Sequence, residues 1–165
     1  MSPPDAEANI TDTGHLDLLI RLLKLGSLIN LPMKEHVCDP VDLSATELKV
    51  IMALKGENTL AGHDLVGIMG LPPMNVSRAI AELKGRGLVE DAIDPDNRRR
   101  RPVRLSPSGE LFYDSLIPAL SGMAESLLGG LGKRQQRQFA ATADRIIHAM
   151  ALWITSHHSE MHVKG

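Results

Sequence analysis

The stretch GHLDLLIRLLKLGSLINL, residues 14–31, constrains this chain more than any other part of it. Leu16, Leu19, Ile20 and Leu23 recur at helical spacing, so the segment predicts a helix. That helix is apolar nearly all round, whereas a helix on the surface of a small monomer keeps a polar face towards water. Residues 132–157 repeat the demand with a second helix, carrying Phe139, Ala143, Ile146, Met150 and Ile154 along one stripe. A chain of 165 residues has the length of one ordinary domain. It cannot cover two such helices and also fill a core of its own. The expected cover is a second copy of the chain.

Composition narrows the fold class. Hydrophobic residues make up 43% of the chain and aromatic residues only 2%. A core of Leu, Ile, Met, Ala and Val favours packed helices over sheets, which recruit aromatic and β-branched residues. The scarcity of rings also argues against a surface for single-stranded nucleic acid, where bases stack on aromatic side chains. Cys38 is the one cysteine, so no intramolecular disulfide can form and a reducing compartment is expected. The opening MSPPDAEANITDTGH lacks the basic and apolar blocks of a signal peptide. No apolar run reaches the roughly 18 residues that span a bilayer. These features predict a soluble, cytoplasmic protein with flexible tails at 1–13 and 159–165.

Between the terminal helices the pattern shortens. PMKEHVCDP, with a proline near each end, predicts a break after the first helix. Ser44-Ala45-Thr46-Glu47 is a capping box ahead of LKVIMALKG. A short helix is expected at about 60–69, ending at Gly70. LPPMNVSRAIAELKGRG follows, with prolines in the first turn and Gly87 at the stop. Val76, Ile80 and Leu83 form its inward face, while Asn75, Ser77, Arg78, Glu82 and Lys84 face elsewhere. LVEDAI and PVRLS predict two strands of a hairpin. Pro102 cannot donate to a ladder, which predicts an edge. Ser106-Pro107 then opens a helix over 107–129, with Phe112, Leu116, Leu120, Met123 and Leu127 on one stripe and a kink expected at Pro118. The class is mainly α with a small β-hairpin, and the helix–helix–helix–hairpin order is that of a winged helix-turn-helix.

At the hairpin turn lies DPDNRRRRPVRLSPSG, residues 94–109, although the chain as a whole has a formal net charge of −2. Between Asn97 and Arg104 there are five basic residues and no acidic one. Overall acidity is no obstacle to binding a polyanion, because the local field at the contact face decides. The preceding helix offers Asn75, Ser77 and Arg78, side chains that can bond base edges as well as phosphates. A basic finger beside a polar helix suits adjacent grooves of a duplex, and an arginine at the tip suits a narrow minor groove.

The segment LVEDAIDPDNRRRRPVRLSPSG resembles the wing of the MarR family of bacterial transcription regulators. The matching residues are Asn97-Arg98-Arg99, Val103-Arg104-Leu105-Ser106 and Gly109; NVSRAIAELKGRGLVE is similar to the family's recognition helix and the strand after it. The element order agrees over about residues 14–157. The resemblance implies a homodimer built on terminal helices (14–40 and 107–158), with winged domains (41–106) reading a palindromic operator in double-stranded DNA. It implies DNA contacts from Asn75, Ser77, Arg78, Asn97, Arg98, Arg99, Arg100 and Arg101, with Arg99 in the minor groove. The family usually has Asp where this chain has Asn97, so Asp94 or Asp96 is expected to help orient the wing.

The resemblance further implies a small effector, often an aromatic carboxylic acid, and no cofactor. His15, Arg21, Lys34 and His36 are the candidate polar residues for it. Arg21 follows Asp17 by four positions, which equally suits a surface ion pair. Some relatives sense oxidants through one cysteine, which makes Cys38 a rival route, although Glu35 and Asp39 would raise its thiol pKa. A third reading is a winged module that binds an acidic protein. No phosphate-binding glycine loop, nucleophile motif or metal-ligand spacing outside the terminal HHSEMH supports an enzyme.

Overall fold

A computed structural model describes residues 13–97 and 99–161. The tails expected at 1–13 and 159–165 lie outside these residues, except that Thr13 opens the first helix and 159–161 belong to the last. Seven α-helices and three strands are described: α1 (Thr13–Leu28), α2 (Asn30–Met33), α3 (Ala45–Glu57), β1 (Thr59–Ala61), α4 (Gly62–Met69), α5 (Pro73–Gly85), β2 (Val89–Asp91), β3 (Pro102–Leu105), α6 (Pro107–Leu128) and α7 (Lys133–Met161).

The break expected at PMKEHVCDP does not occur. A π-helical turn, Lys34–Cys38, and a 3₁₀ turn, Asp39–Val41, carry the helical path onward from α2. Pro32 has no N–H to give, and the wider turn beyond it rotates Val37 and Cys38 into the core, where both are buried. The path stops at Asp42, whose φ of 51° is left-handed.

Local chemistry then fixes each boundary. Ser44 Oγ accepts from the Glu47 amide at 3.1 Å while the Ser44 amide donates to Glu47 Oε2 at 2.7 Å, which is the expected capping box. At the end of α5 the Leu88 amide reaches the Leu83 carbonyl and the Gly87 amide reaches Lys84. This paired closure needs a left-handed residue after the helix, and Gly87 supplies it at φ 71°. Ser106 Oγ accepts from the Gly109 amide at 3.0 Å and donates to the Gly87 carbonyl at 2.6 Å, joining the start of α6 to the end of α5.

The sheet corrects two expectations. Thr59–Ala61 forms a strand instead of the start of a helix, so the hairpin gains a third member. The order is β1-β3-β2, all antiparallel, with Leu60 opposite Val103 and Val89 opposite Leu105. Pro102 is therefore on the central strand, not at an edge. It is tolerated there because it is the first residue of β3, and its carbonyl still accepts from the Ala92 amide at 2.9 Å.

Ile51, Leu54, Leu65, Val76 and Leu83 are the heart of the core, closed by Val103 and Leu105 from the sheet and by Leu116 and Met123 from α6. On α5 the inward row is Val76, Ala79 and Leu83, with Ile80 only partly covered. The terminal helices differ sharply. Leu16, Leu18, Ile20, Leu23 and Leu28 of α1 are more than half exposed, as are Phe139, Ile147 and Trp153 of α7. Among the described residues, the substantial packing of α1 is confined to α2, which follows it.

Candidate nucleic-acid interface and effector cleft

α4 and α5 form a helix-turn-helix pair, and both pack on α3. Leu65 on α4 and Val76, Ala79 and Leu83 on α5 are buried, which turns the opposite face of α5 outward. Asn75, Ser77 and Arg78 are all exposed, with Arg78 opposite the buried row and Asn75 and Ser77 on its two flanks. The loop between β2 and β3 is organised by its own side chains. Asp94 Oδ1 accepts from the amides of Asp96 and Asn97 at 3.0 and 3.1 Å. Asn97 Oδ1 accepts from the Arg99 amide at 3.1 Å, and the Arg100 amide closes the turn on the Asn97 carbonyl. Asn97 thus shapes the backbone beneath Arg99, while Asp94 bonds the turn amides and Arg100 and makes no hydrogen bond to Arg99 among the described residues.

The arginines of the run divide. Arg99 and Arg101 are exposed; Arg98 lies outside the described residues. Arg100 turns back into the protein. Its Nη2 pairs with Asp64 Oδ2 at the start of α4, and its Nη1 lies 3.4 Å from Asp94 Oδ2. Nothing in the sequence singles out Arg100, because a loop gives no period from which to tell inward from outward positions. Burial, the largest influence on Asp64, pushes its carboxyl up; the Ala61 amide and the Arg100 guanidinium outweigh it and hold the group below the usual carboxylate range.

The effector candidates separate as well. His15 is exposed on α1. Arg21 Nε donates to Asp17 Oδ2 at 2.8 Å, with both side chains well exposed. Lys34 Nζ is held by both oxygens of Asp39 at 2.7–2.8 Å. His36 borders a cleft of ≈ 420 Å³, facing Pro118, Ala119, Gly122, Met123, Ser126 and Leu127 of α6, with Pro32 beside it. The α6 wall was legible only as a row of small residues: Ala119, Gly122 and Ser126 leave room beside the helix. Among the described residues no group of three or more His, Cys, Asp or Glu is placed to hold a metal ion.

Cys38 is 1% exposed. Burial, then Asp39, raises its thiol pKa, and Lys34 opposes this only in part. A reactive cysteine needs the opposite surroundings. We expect alkylation of native Cys38 to run about a hundredfold or more slower than in urea, since it waits on local opening. Equal rates in a thiol-labelling time course would restore the oxidant-sensing reading.

This arrangement is a winged helix-turn-helix, with a three-stranded wing and long terminal helices. No family model matches the chain. It is 26% identical over 98 residues to the HTH-type transcriptional repressor NicR of Pseudomonas putida, a stretch that covers 59% of this chain and 61% of NicR. The chain thus spans less than two thirds of that relative. Its structure matches that of BpsR from Bordetella bronchiseptica at a TM-score of 0.64 and 22% identity, over 78% of this chain and 98% of that one. A MarR family regulator from Neisseria meningitidis matches at 0.64 and 20%, over 87% and 98%. The fold is that of the MarR-family regulators, and the chain resembles that family.

Proposed function

We propose that the protein is a MarR-type, cytoplasmic transcription regulator, a repressor that binds a palindromic operator in duplex DNA as a homodimer and is released by a small aromatic acid. One observation carries the reading: the exposed Asn75, Ser77 and Arg78 of α5 stand on the same small scaffold as the outward Arg99 and Arg101 of the wing. In this reading residues 41–106 hold the DNA, while 14–40 and 107–158 hold the partner copy. NicR is described as a repressor, and DNA binding by BpsR is regulated by 6-hydroxynicotinic acid. Both favour this reading over an acidic-protein module, which has no use for base-reading side chains beside the wing. Among the described residues no helix is long and apolar enough to cross a membrane.

The effector reading centres on the cleft at His36. Its wall is mostly apolar, as an aromatic ring requires, and the imidazole is the group available to meet a carboxylate. Arg21 enters this reading only if dimer formation draws it away from Asp17.

Duplex titrations over a range of salt concentrations test the DNA assignment. Arg78→Ala is expected to cost about 1–3 kcal/mol of preference for the operator over altered sequences. Arg101→Ala should instead weaken all duplexes alike and reduce the salt slope by about 0.9. A wild-type protein that binds no duplex at low salt would remove the reading.

A further inference from the structure

We propose that Arg100 is a positioning residue that ties the wing to the first helix of the helix-turn-helix, and that it makes no contact with DNA. The proposal rests on the DNA-binding reading above for its functional consequence, but the tie itself is a property of the free protein.

The exposure pattern is the first support. Arg99 and Arg101 are exposed and Arg100 is half-buried between them. Its guanidinium bridges two carboxylates from different parts of the fold, Asp64 in the first turn of α4 and Asp94 in the wing's own turn. Each carboxylate divides its oxygens or lone pairs between two tasks. Asp94 gives Oδ1 to the turn amides and Oδ2 to Arg100. Asp64 Oδ2 accepts from the Ala61 amide at 2.8 Å, capping α4, and from Arg100 as well. Arg100 Nε is buried and has no hydrogen-bond partner among the described residues, so this edge of the guanidinium is closed to a phosphate. Two carboxylates against one guanidinium also leave no surplus positive charge at this point of the wing.

The backbone makes the same connection one step away. Ala61 at the end of β1 lies opposite Pro102 at the start of β3. The Ala61 amide is turned to Asp64, so the carboxylate that holds Arg100 also sits at the end of this strand pair. α4 leads directly to α5, so the tie sets how far the outward arginines stand from the base-reading helix.

The test combines two measurements on the full chain with Arg100→Gln, Asp64→Asn and the double variant; the amide side chain introduced by Asp64→Asn keeps an acceptor for the Ala61 N–H. In the free protein, amide hydrogen exchange of residues 95–101 should quicken in each single variant while α3 stays protected. On operator DNA, each single variant should weaken binding about tenfold, as coupled members of one network do, with the double variant no worse than either. The salt slope should not change. Asp64→Asn is the sharpest arm, because removing a negative charge would by itself strengthen DNA binding, whereas losing the tie weakens it. Unchanged wing exchange would overturn the proposal. So would a slope reduced by about 0.9 in Arg100→Gln with Asp64→Asn neutral, the signature of a phosphate contact. If the wild type bound no duplex, the functional reading would fall and the exchange data would still decide the tie.

Discussion

Leu23→Asp is expected to raise the dissociation constant of the proposed dimer by about 10²–10⁴-fold, the largest functional effect of any single change outside the core. Leu23 is 64% exposed in the single chain, in the middle of a helix that also exposes Leu16, Leu18, Leu19, Ile20, Leu25 and Leu28. Water does not tolerate a surface of this kind at such length, and large exposed apolar patches mark association sites. Covering one leucine contributes about 1.5–3 kcal/mol, and a two-fold interface counts each substitution twice. Leu23 is remote from the residues of the core around Ile51 and Leu83, so the winged part should keep its melting behaviour. Sedimentation at micromolar concentration reads the result. A Leu23→Asp protein that sediments as the wild type does would place α1 outside the interface, and a wild type that is a stable monomer would remove the dimer from the proposed function.

The over-apolar terminal helices, the capping box at Ser44, the stop at Gly87 and the cap at Ser106 were all legible in the sequence, because each is set by residues within a few positions of one another. What was not legible depends on partners distant in the chain. Thr59–Ala61 is too short to show an alternation, and only its pairing with Pro102–Arg104 makes it a strand. Once that third strand exists, Pro102 becomes central, and the edge expected from its missing donor moves elsewhere. Pro32 predicted a stop because proline removes one hydrogen bond; the chain instead widened one turn and kept going, since burial of Val37 and Cys38 rewards that path. The site divides in the same way. The arginine run announced a basic finger, but the inward turn of Arg100 depends on Asp64, 36 residues earlier. The cleft at His36 needs α6, more than 80 residues later in the chain.

Gly109→Ala is expected to cost about 3 kcal/mol or more, at the upper end of what overpacking does. A Cβ at this position would fall directly onto the Leu88 carbonyl oxygen, 2.9 Å from the carbonyl carbon and 3.4 Å from Leu105 Cβ. The obstacle is backbone, so no rotamer change relieves it. Nor can the Leu88 carbonyl move freely, because it accepts the Ser106 amide at 3.0 Å while Ser106 Oγ holds Gly87 and Gly109 together. The remaining escape is to lift the first turn of α6 off the sheet, which would also withdraw Leu116 and Met123 from the core they close. At this chain length a loss of that size lowers Tm by about 6–12 °C. Gly122→Ala on the same helix is the control: nothing lies within 4 Å of its added Cβ, so it should be neutral or stabilising by about 0.5–1 kcal/mol through helix propensity. The comparison separates helix propensity from close approach. It also bears on function, because α6 leaves the wing immediately after β3 and runs on into the apolar surface assigned to the dimer. A Gly109→Ala protein melting within about 1 °C of the wild type would mean that the wing and α6 are not held in contact here. The proposed dimer would then have no rigid path by which to set the spacing of its two wings.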